Sequence, residues 1–350
     1  MTQQTITGAD QAAIVVTTIN PPTASMQALV EGSSQHGCRL FIIGDEKSPA
    51  DFALPGSHYA DLQAQRVTPY RYANACPVRH YARKNIGYLM AIAEGARVII
   101  ETDDDNTPLE GFWQRRDAQL ECRPVPGPGW INIYQYFSDA TIWPRGLPLD
   151  AIHDAAPSLD STEARPVYCP IQQGLADGNP DVDAIYRLTL PLPQHFEHAP
   201  AVAIGPGSWC PFNSQNTTTF PDAFPLLYLP YYCSFRMTDI WRSFVAQVIC
   251  HVNGWSIGFH AATMFQDRNE HDLMRDFQDE VPGYTHNRQI MDTLSTLPLK
   301  PGAEHIPDNL RLCYQSLIDL GLVGNEEMPL LDCWLEDIQT AGAAGAAETA

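Results

Sequence analysis

The stretch Arg97-Val98-Ile99-Ile100-Glu101-Thr102-Asp103-Asp104-Asp105-Asn106 decides how the chain is read. Its apolar, β-branched start predicts a buried strand, and the strand runs straight into three adjacent carboxylates. Upstream, residues 78–95 place Ala82, Ile86, Leu89 and Ala93 at i, i+4, i+7 and i+11, a helical stripe closed by Gly95 at the expected C-cap. Further upstream, Ala12-Ala13-Ile14-Val15-Val16-Thr17-Thr18-Ile19 predicts a first buried strand, stopped by Asn20-Pro21-Pro22. Residues 23–36 predict a helix capped by Thr23, with Met26, Leu29 and Val30 on one face. Arg39-Leu40-Phe41-Ile42-Ile43-Gly44-Asp45 predicts a second buried strand ending in an acid. The order is that of an open, mostly parallel α/β sheet flanked by helices, in the Rossmann-like manner. Such sheets bind ligands at the carboxyl ends of their strands, where the acidic cluster falls.

Composition bounds the function. The chain has 350 residues, 44% of them apolar, enough for a real core and against wholesale disorder. No apolar run reaches the roughly 18 residues of a membrane helix, and the amino terminus lacks a basic segment followed by an apolar one. With 21 basic and 41 acidic side chains the net charge is -20, which repels phosphate backbones and argues against nucleic-acid binding. The 9 cysteines are odd in number, scattered and without a CxxC pair, so they read as reduced thiols in a cytoplasmic setting. Residues 1–11 are expected to fray. Prolines crowd residues 124–230, predicting loops and short irregular strands. Helices are expected over 237–251, 270–280 and 308–321, and the alanine-rich residues 341–350 are expected to be a disordered tail.

Several residues could carry chemistry. Three adjacent carboxylates repel one another. In an extended chain Asp103 and Asp105 would point to one side, where a hard divalent cation, Mn²⁺ or Mg²⁺, would offset the repulsion and meet a diphosphate. The alternative is a solvated acidic turn before a helix starting near Pro108. Asp45, with Lys47 two residues on, could receive a base or ribose at the sheet edge, or simply form a turn. Arg83-Lys84-Asn85 open the helix leading to the acidic strand, so the basic groups Arg83 and Lys84, with Asn85, could face a diphosphate, or form an exposed polar face. Asp239, flanked by Arg236 and Arg242, could be a general base or a helix-capping acid. His271 could complete a metal shell or be structural. No GxGxxG, GxxxxGK[ST], HExxH or GxSxG motif occurs.

With these residues in view the sequence resembles the STELLO family, itself related to the reversibly glycosylated polypeptides, or UDP-arabinopyranose mutases. The resemblance is carried by Ile14-Val15-Val16-Thr17-Thr18-Ile19-Asn20-Pro21-Pro22-Thr23, Ile42-Ile43-Gly44-Asp45-Glu46-Lys47-Ser48-Pro49 and Arg83-Lys84-Asn85-Ile86-Gly87-Tyr88-Leu89. Trp143-Pro144-Arg145-Gly146, the stretch from Leu175 to Leu188, and Asp239-Ile240-Trp241-Arg242 add to it. It covers roughly residues 12–285 and implies a GT-A glycosyltransferase fold, taken over residues 12–290. Residues 291–340 lie beyond the resemblance and are expected to be a helical extension that finishes the core or makes a dimer contact. The resemblance also implies an Asp-x-Asp metal motif at Asp103 and Asp105 with Asp104 beside it, and His271 as a further metal ligand. Thr17 and Asp45 would lie near the nucleoside, Arg83 near the diphosphate, and Asp181 and Asp183 near a donor or acceptor sugar. Asp239 would be the base of an inverting enzyme.

The reading that follows is metal-dependent transfer of a sugar from a nucleotide sugar, most simply a UDP-sugar, to a hydroxyl acceptor. That acceptor would be a carbohydrate or lipid-linked precursor of cell-surface polysaccharide or glycolipid. A nucleotide-sugar mutase and a non-catalytic nucleotide-binding scaffold are the alternatives. The protein is expected to be cytoplasmic, with association at a membrane surface and oligomerisation both open.

Overall fold

The computed structural model describes residues 4–267, 269 and 272–348. Among the described residues eleven strands form one sheet. They are β1 (Ala12–Thr18), β2 (Arg39–Gly44), β3 (His58–Ala60), β4 (Val98–Thr102), β5 (Asn106–Pro108), β6 (Gln119–Pro124), β7 (Arg165–Tyr168), β8 (Ile171–Gly178), β9 (Val202–Ile204), β10 (Asn216–Thr219) and β11 (Ile257–Gln266). The helices are α1 (Ala24–His36), α2 (Leu62–Arg66), α3 (Arg71–Ala75), α4 (Lys84–Ala93), α5 (Ala184–Thr189), α6 (Thr238–Val252), α7 (Leu273–Ser295), α8 (Ile306–Asp319) and α9 (Glu327–Glu348).

The sheet runs β3-β2-β1-β4-β10-β8-β11-β9-β6-β7, with β5 paired to β11. Its first four strands are parallel, as the βαβ order requires. Beyond β4 the pairing is mixed: β10 is antiparallel to both β4 and β8, while β8 and β11 run parallel. This is the GT-A type, Rossmann-like arrangement.

The β-branched runs form strands because both faces of the sheet are covered. Ala13 and Val15 of β1, Phe41 of β2 and Ile99 of β4 belong to one apolar core. Their neighbours Ile14, Val16, Leu40, Ile42 and Ile100 belong to another. A period of two with both phases apolar is the mark of a strand buried on both sides. Thr23 caps α1 as the sequence predicts, accepting from the Met26 amide at 3.1 Å. Helix α4 lies close against β1 and β2 because Gly87 has no side chain: a Cβ there would sit 2.5 Å from Val15 Cγ1 and 2.8 Å from Ile43 Cγ1. The register pairs Thr18 with Gly44, so β1 and β2 end level and release Ile19 and Asp45 on the same edge.

The carboxyl-terminal helices finish the core. Helix α7 runs to Ser295, across the expected boundary at 290. Leu310, Tyr314 and Leu317 of α8 and Trp334 of α9 are buried in the same core as α4 and α6. Trp334 donates to the Pro225 carbonyl at 3.1 Å, and Asp337 accepts from the Tyr72 amide at 2.7 Å. The stretch expected to be a disordered tail continues α9 to Glu348. Ala341 is buried there, and Gly345 crosses the end of α4 so closely that a Cβ would lie 2.3 Å from the Ile92 carbonyl. Small residues are what allow this close crossing.

If α9 completes the core, Trp334→Ala should lower unfolding free energy by about 3–5 kcal/mol, the usual range for a buried large aromatic. Chemical denaturation of the full chain checks this; a loss below about 1 kcal/mol would mean α9 is an appendage.

Candidate functional site

The carboxyl end of β4 delivers Asp103, Asp104 and Asp105 into a turn, not a continued strand, so simple alternation does not set their directions. The turn is gripped from three sides. Asp104 accepts from Thr18 Oγ1 at 2.5 Å and Asn20 Nδ2 at 2.9 Å, and its carbonyl accepts from Thr23 Oγ1 at 2.6 Å. Asp103 accepts from Lys84 Nζ at 3.0 Å. That lysine is fully buried and also donates to the Thr102 carbonyl at 2.9 Å and the Ser214 carbonyl at 3.2 Å. Asp105 accepts from the Asn269 amide at 3.2 Å and its Nδ2 at 3.3 Å, and from Gln266 Nε2 at 3.3 Å. Burial, then the negative charge of Asp103, pushes the Asp105 carboxyl up to about 6.

The turn opens onto a cleft of about 880 Å³ at the carboxyl ends of β1, β2 and β4. Thr17, Asp45, Lys47, Arg83, Asp103, Asp104, Asp105, Asp181 and Asp239 all line it. Asp45 is held by the His80 amide at 2.9 Å, and Lys47 is exposed. Nine aspartates line the cleft against six lysine and arginine side chains among the described residues. Most of those cations are engaged: Arg79 with Glu46, Arg236 with Glu280, and Arg275 with Asp279.

Four expected site residues have structural work instead. Arg83 touches the cleft but is buried, and its guanidinium is already engaged, donating to Gln65 Oε1 at 2.8 Å and the Cys76 carbonyl at 2.7 Å. Asn85 lies beneath the surface, bonding Tyr72 Oη at 2.8 Å and the Leu229 carbonyl at 3.0 Å. Asp183 is fully buried; it caps α5 by accepting from the Tyr186 amide at 2.8 Å and takes the Trp143 indole N–H at 2.7 Å. Asp239 lines the cleft but its oxygens are spoken for. It accepts from Arg145 at 3.1 and 3.0 Å, the Ser214 amide at 3.1 Å and Tyr81 Oη at 3.2 Å. Burial alone would raise its carboxyl, but Arg145 holds it well below the ordinary carboxylate range. A carboxylate so paired is a weak proton acceptor, which counts against Asp239 as general base. His271 lies outside the described residues.

Arg145 also binds Asp181 through Nε at 2.8 Å and Nη2 at 2.9 Å. The Asp181–Arg145–Asp239 triad is buried at the cleft floor, with Arg145 only 5% exposed. Ser214 joins it to the acidic turn, since its amide meets Asp239 while its carbonyl meets Lys84. Lys84 belongs to the basic stretch singled out from the sequence, and it meets Asp103 of the turn; Arg145, Ser214 and Asn269 were not singled out as site residues. Asp183 had a readable signal, an Asp directly before a helical segment; Arg145 had none beyond its Trp-Pro-Arg-Gly motif.

Comparison with known proteins agrees with the resemblance. A family model of STELLO glycosyltransferases matches residues 236–345. The chain is a relative of the STELLO glycosyltransferases. It is 28% identical over 357 residues to probable glycosyltransferase STELLO2 of Arabidopsis thaliana, covering 94% of this chain and 45% of that protein. It is 31% identical over 268 residues to probable glycosyltransferase STELLO1 of the same plant, covering 71% of this chain and 34% of that one. The chain thus spans less than half the length of either STELLO protein. The STELLO model covers α7 to α9, the segment that the quoted motifs leave out beyond residue 285 and that completes the core here.

The Asp105 shift carries a pH signature. Its ordinary value is 3.8 and its folded value about 6, so between those values the folded chain keeps a proton that the unfolded chain has lost. Stability in metal-free buffer should therefore fall as pH rises from about 4 to about 6, by at most about 3 kcal/mol from this group. Melting curves of wild type and Asp105→Asn across that window should converge at low pH and separate at high pH, with the variant the more stable. Parallel curves would remove the shift.

Proposed function

We propose that the protein is a metal-dependent glycosyltransferase that moves a sugar from a nucleotide sugar, most simply a UDP-sugar, to a hydroxyl acceptor in cell-surface polysaccharide or glycolipid synthesis. The observation that carries this is the charge of the cleft. A nucleoside diphosphate is strongly anionic, and nine aspartates line the space it would enter. The engaged cations cannot balance both, so the diphosphate needs a divalent cation to enter. The donor set fits one: Asp104 and Asp105 offer hard oxygens, and among the described residues no lysine or arginine pairs with them. Burial first, and then the neighbouring Asp103 carboxylate, raise the Asp105 carboxyl, an effect that a bound cation would reverse. A bound Mn²⁺ or Mg²⁺ supplies neutralisation of the leaving diphosphate.

The chain's own groups do the rest. Thr18 and Asn20 hold Asp104 Oδ2 and Thr23 its carbonyl, which sets the direction of Oδ1, bonded only weakly by Asn269 Nδ2 at 3.4 Å. Lys84 neutralises Asp103 from below, which lowers the repulsion within the turn. Thr17, Asp45 and Lys47 stand at the ends of β1 and β2, where nucleoside and ribose hydroxyls would be received. The Asp181–Arg145–Asp239 triad supplies a rigid, polar floor for the transferred sugar, orienting it without moving a proton.

Among the described residues no helix is long and apolar enough to cross a membrane. A lipid-linked acceptor would therefore have to reach this part of the protein at the membrane surface.

Thermal denaturation of the full chain with nucleoside diphosphates tests the proposal. UDP with Mn²⁺ should raise the melting temperature, with about 2.7 kcal/mol of added stability at 100 times the dissociation constant. EDTA or Asp105→Ala should abolish the shift. A nucleotide shift that survives both would overturn metal dependence, and no shift with any nucleotide would overturn the donor reading.

A further inference from the structure

We propose that Phe235 is the platform of an acceptor subsite and that a pyranose ring stacks on it; this rests on the glycosyl-transfer reading above. Phe235 lines the cleft and is 45% exposed, unusual for a large apolar ring beside a polar site. It cannot fold away. Tyr81 packs edge-on to it at 5.0 Å and 79°, and His80 at 4.9 Å and 67°. His80 is itself held between Tyr81 at 5.2 Å and Tyr231 at 4.6 Å. The backbone is tied as well: Tyr81 Oη lies 3.3 Å from the Phe235 carbonyl and shares its one proton between that carbonyl and Asp239, and Ser234 Oγ donates to the Asp279 carbonyl of α7. A bare aromatic face is thus braced from behind, so it loses little conformational entropy when a ligand covers it.

The surroundings select the ligand. Asp279 and Arg275 of α7 line the same cleft, as does the Asp239 side chain bonded to Tyr81. A flat apolar face rimmed by carboxylates and a guanidinium matches a ring with one C–H face and hydroxyl groups at its edge. A nucleobase has a better apolar partner elsewhere. Ile19, 49% exposed, also lines the cleft and lies between Thr18 and Asn20, the residues that hold Asp104. The nucleoside end therefore falls at Ile19, and Phe235, on the Tyr81–Asp239 wall, is left for the acceptor.

Saturation-transfer NMR with methyl β-glucopyranoside and methyl β-galactopyranoside tests this, each with and without UDP and Mn²⁺. Saturation should reach the ring C–H protons of at least one pyranoside in the wild type. Phe235→Ala should weaken that affinity about three- to tenfold, as expected for losing one aromatic contact. Phe235→Tyr should retain it, and the UDP–Mn²⁺ thermal shift should stay the same in all three proteins. Equal pyranoside binding by wild type and Phe235→Ala, or none by the wild type, would overturn the proposal. So would a folded Phe235→Ala that loses the UDP shift, because the ring would then serve the nucleobase. Failure of UDP to shift the wild type falls on the donor reading alone, since the pyranoside arm is also read without nucleotide.

Discussion

The cleft depends on one ammonium group sealed beneath a turn of three carboxylates. Lys84 has no exposure to water, and a buried charge is tolerated only when it is paired and hydrogen-bonded. Its three acceptors come from the end of β4, from the turn itself and from the loop before β10. Lys84 is also the first residue of α4, where the helix dipole disfavours a cation by about 0.3–1 kcal/mol. The helix therefore does not hold this charge; the acidic turn does. In return, the close fit of Gly87 on β1 and β2 fixes where Lys84 can be, and so where the turn can be.

Ser214 carries that constraint across the cleft, because the same residue accepts from Lys84 and donates to Asp239. Beyond it the Asp181–Arg145–Asp239 triad ties together the loops carrying residues 145 and 181 and the start of α6. Buried ion networks of this kind seldom add net stability, since desolvation offsets most of the attraction. Their effect here is geometric: loops without regular structure are held in one arrangement beside the acidic turn.

The parallel half of the fold was legible because its signals are local. The β-branched runs at Ile14–Val16, Phe41–Ile43 and Val98–Ile100 have both phases apolar, and Thr23 sits where a cap belongs. The acidic triplet was legible for the same reason. Partners distant in sequence were not. Asp239 reads as an available acid until Arg145, 94 residues away, occupies it. Nothing in Arg83-Lys84-Asn85 tells which of the three faces the turn. A short 3₁₀ segment, Tyr81–Arg83, precedes α4 and shifts the phase, so that Lys84 reaches the turn while Arg83 and Asn85 point into the protein. The alanine-rich end misleads by composition, because a low-complexity helix becomes ordered only where another helix lets it approach, as α4 does at Ile92.

This division has a consequence for specificity. The regular, parallel half supplies Thr18, Asn20, Asp45 and the acidic turn, and these would meet the nucleotide, the part common to many donors. The mixed half supplies Arg145, Asp181, Ser214 and Phe235 from loops and short turns, together with Arg275 and Asp279 from α7. Loops on a rigid scaffold change more freely than the strands that anchor them. On the reading proposed above, relatives that keep the β1–β4 half would share a donor chemistry while differing in what they glycosylate. The residues proposed to decide the acceptor would then lie in the segments where a pattern-based reading of the sequence is weakest, and only the packing of Tyr81, His80 and Phe235 brings them into view.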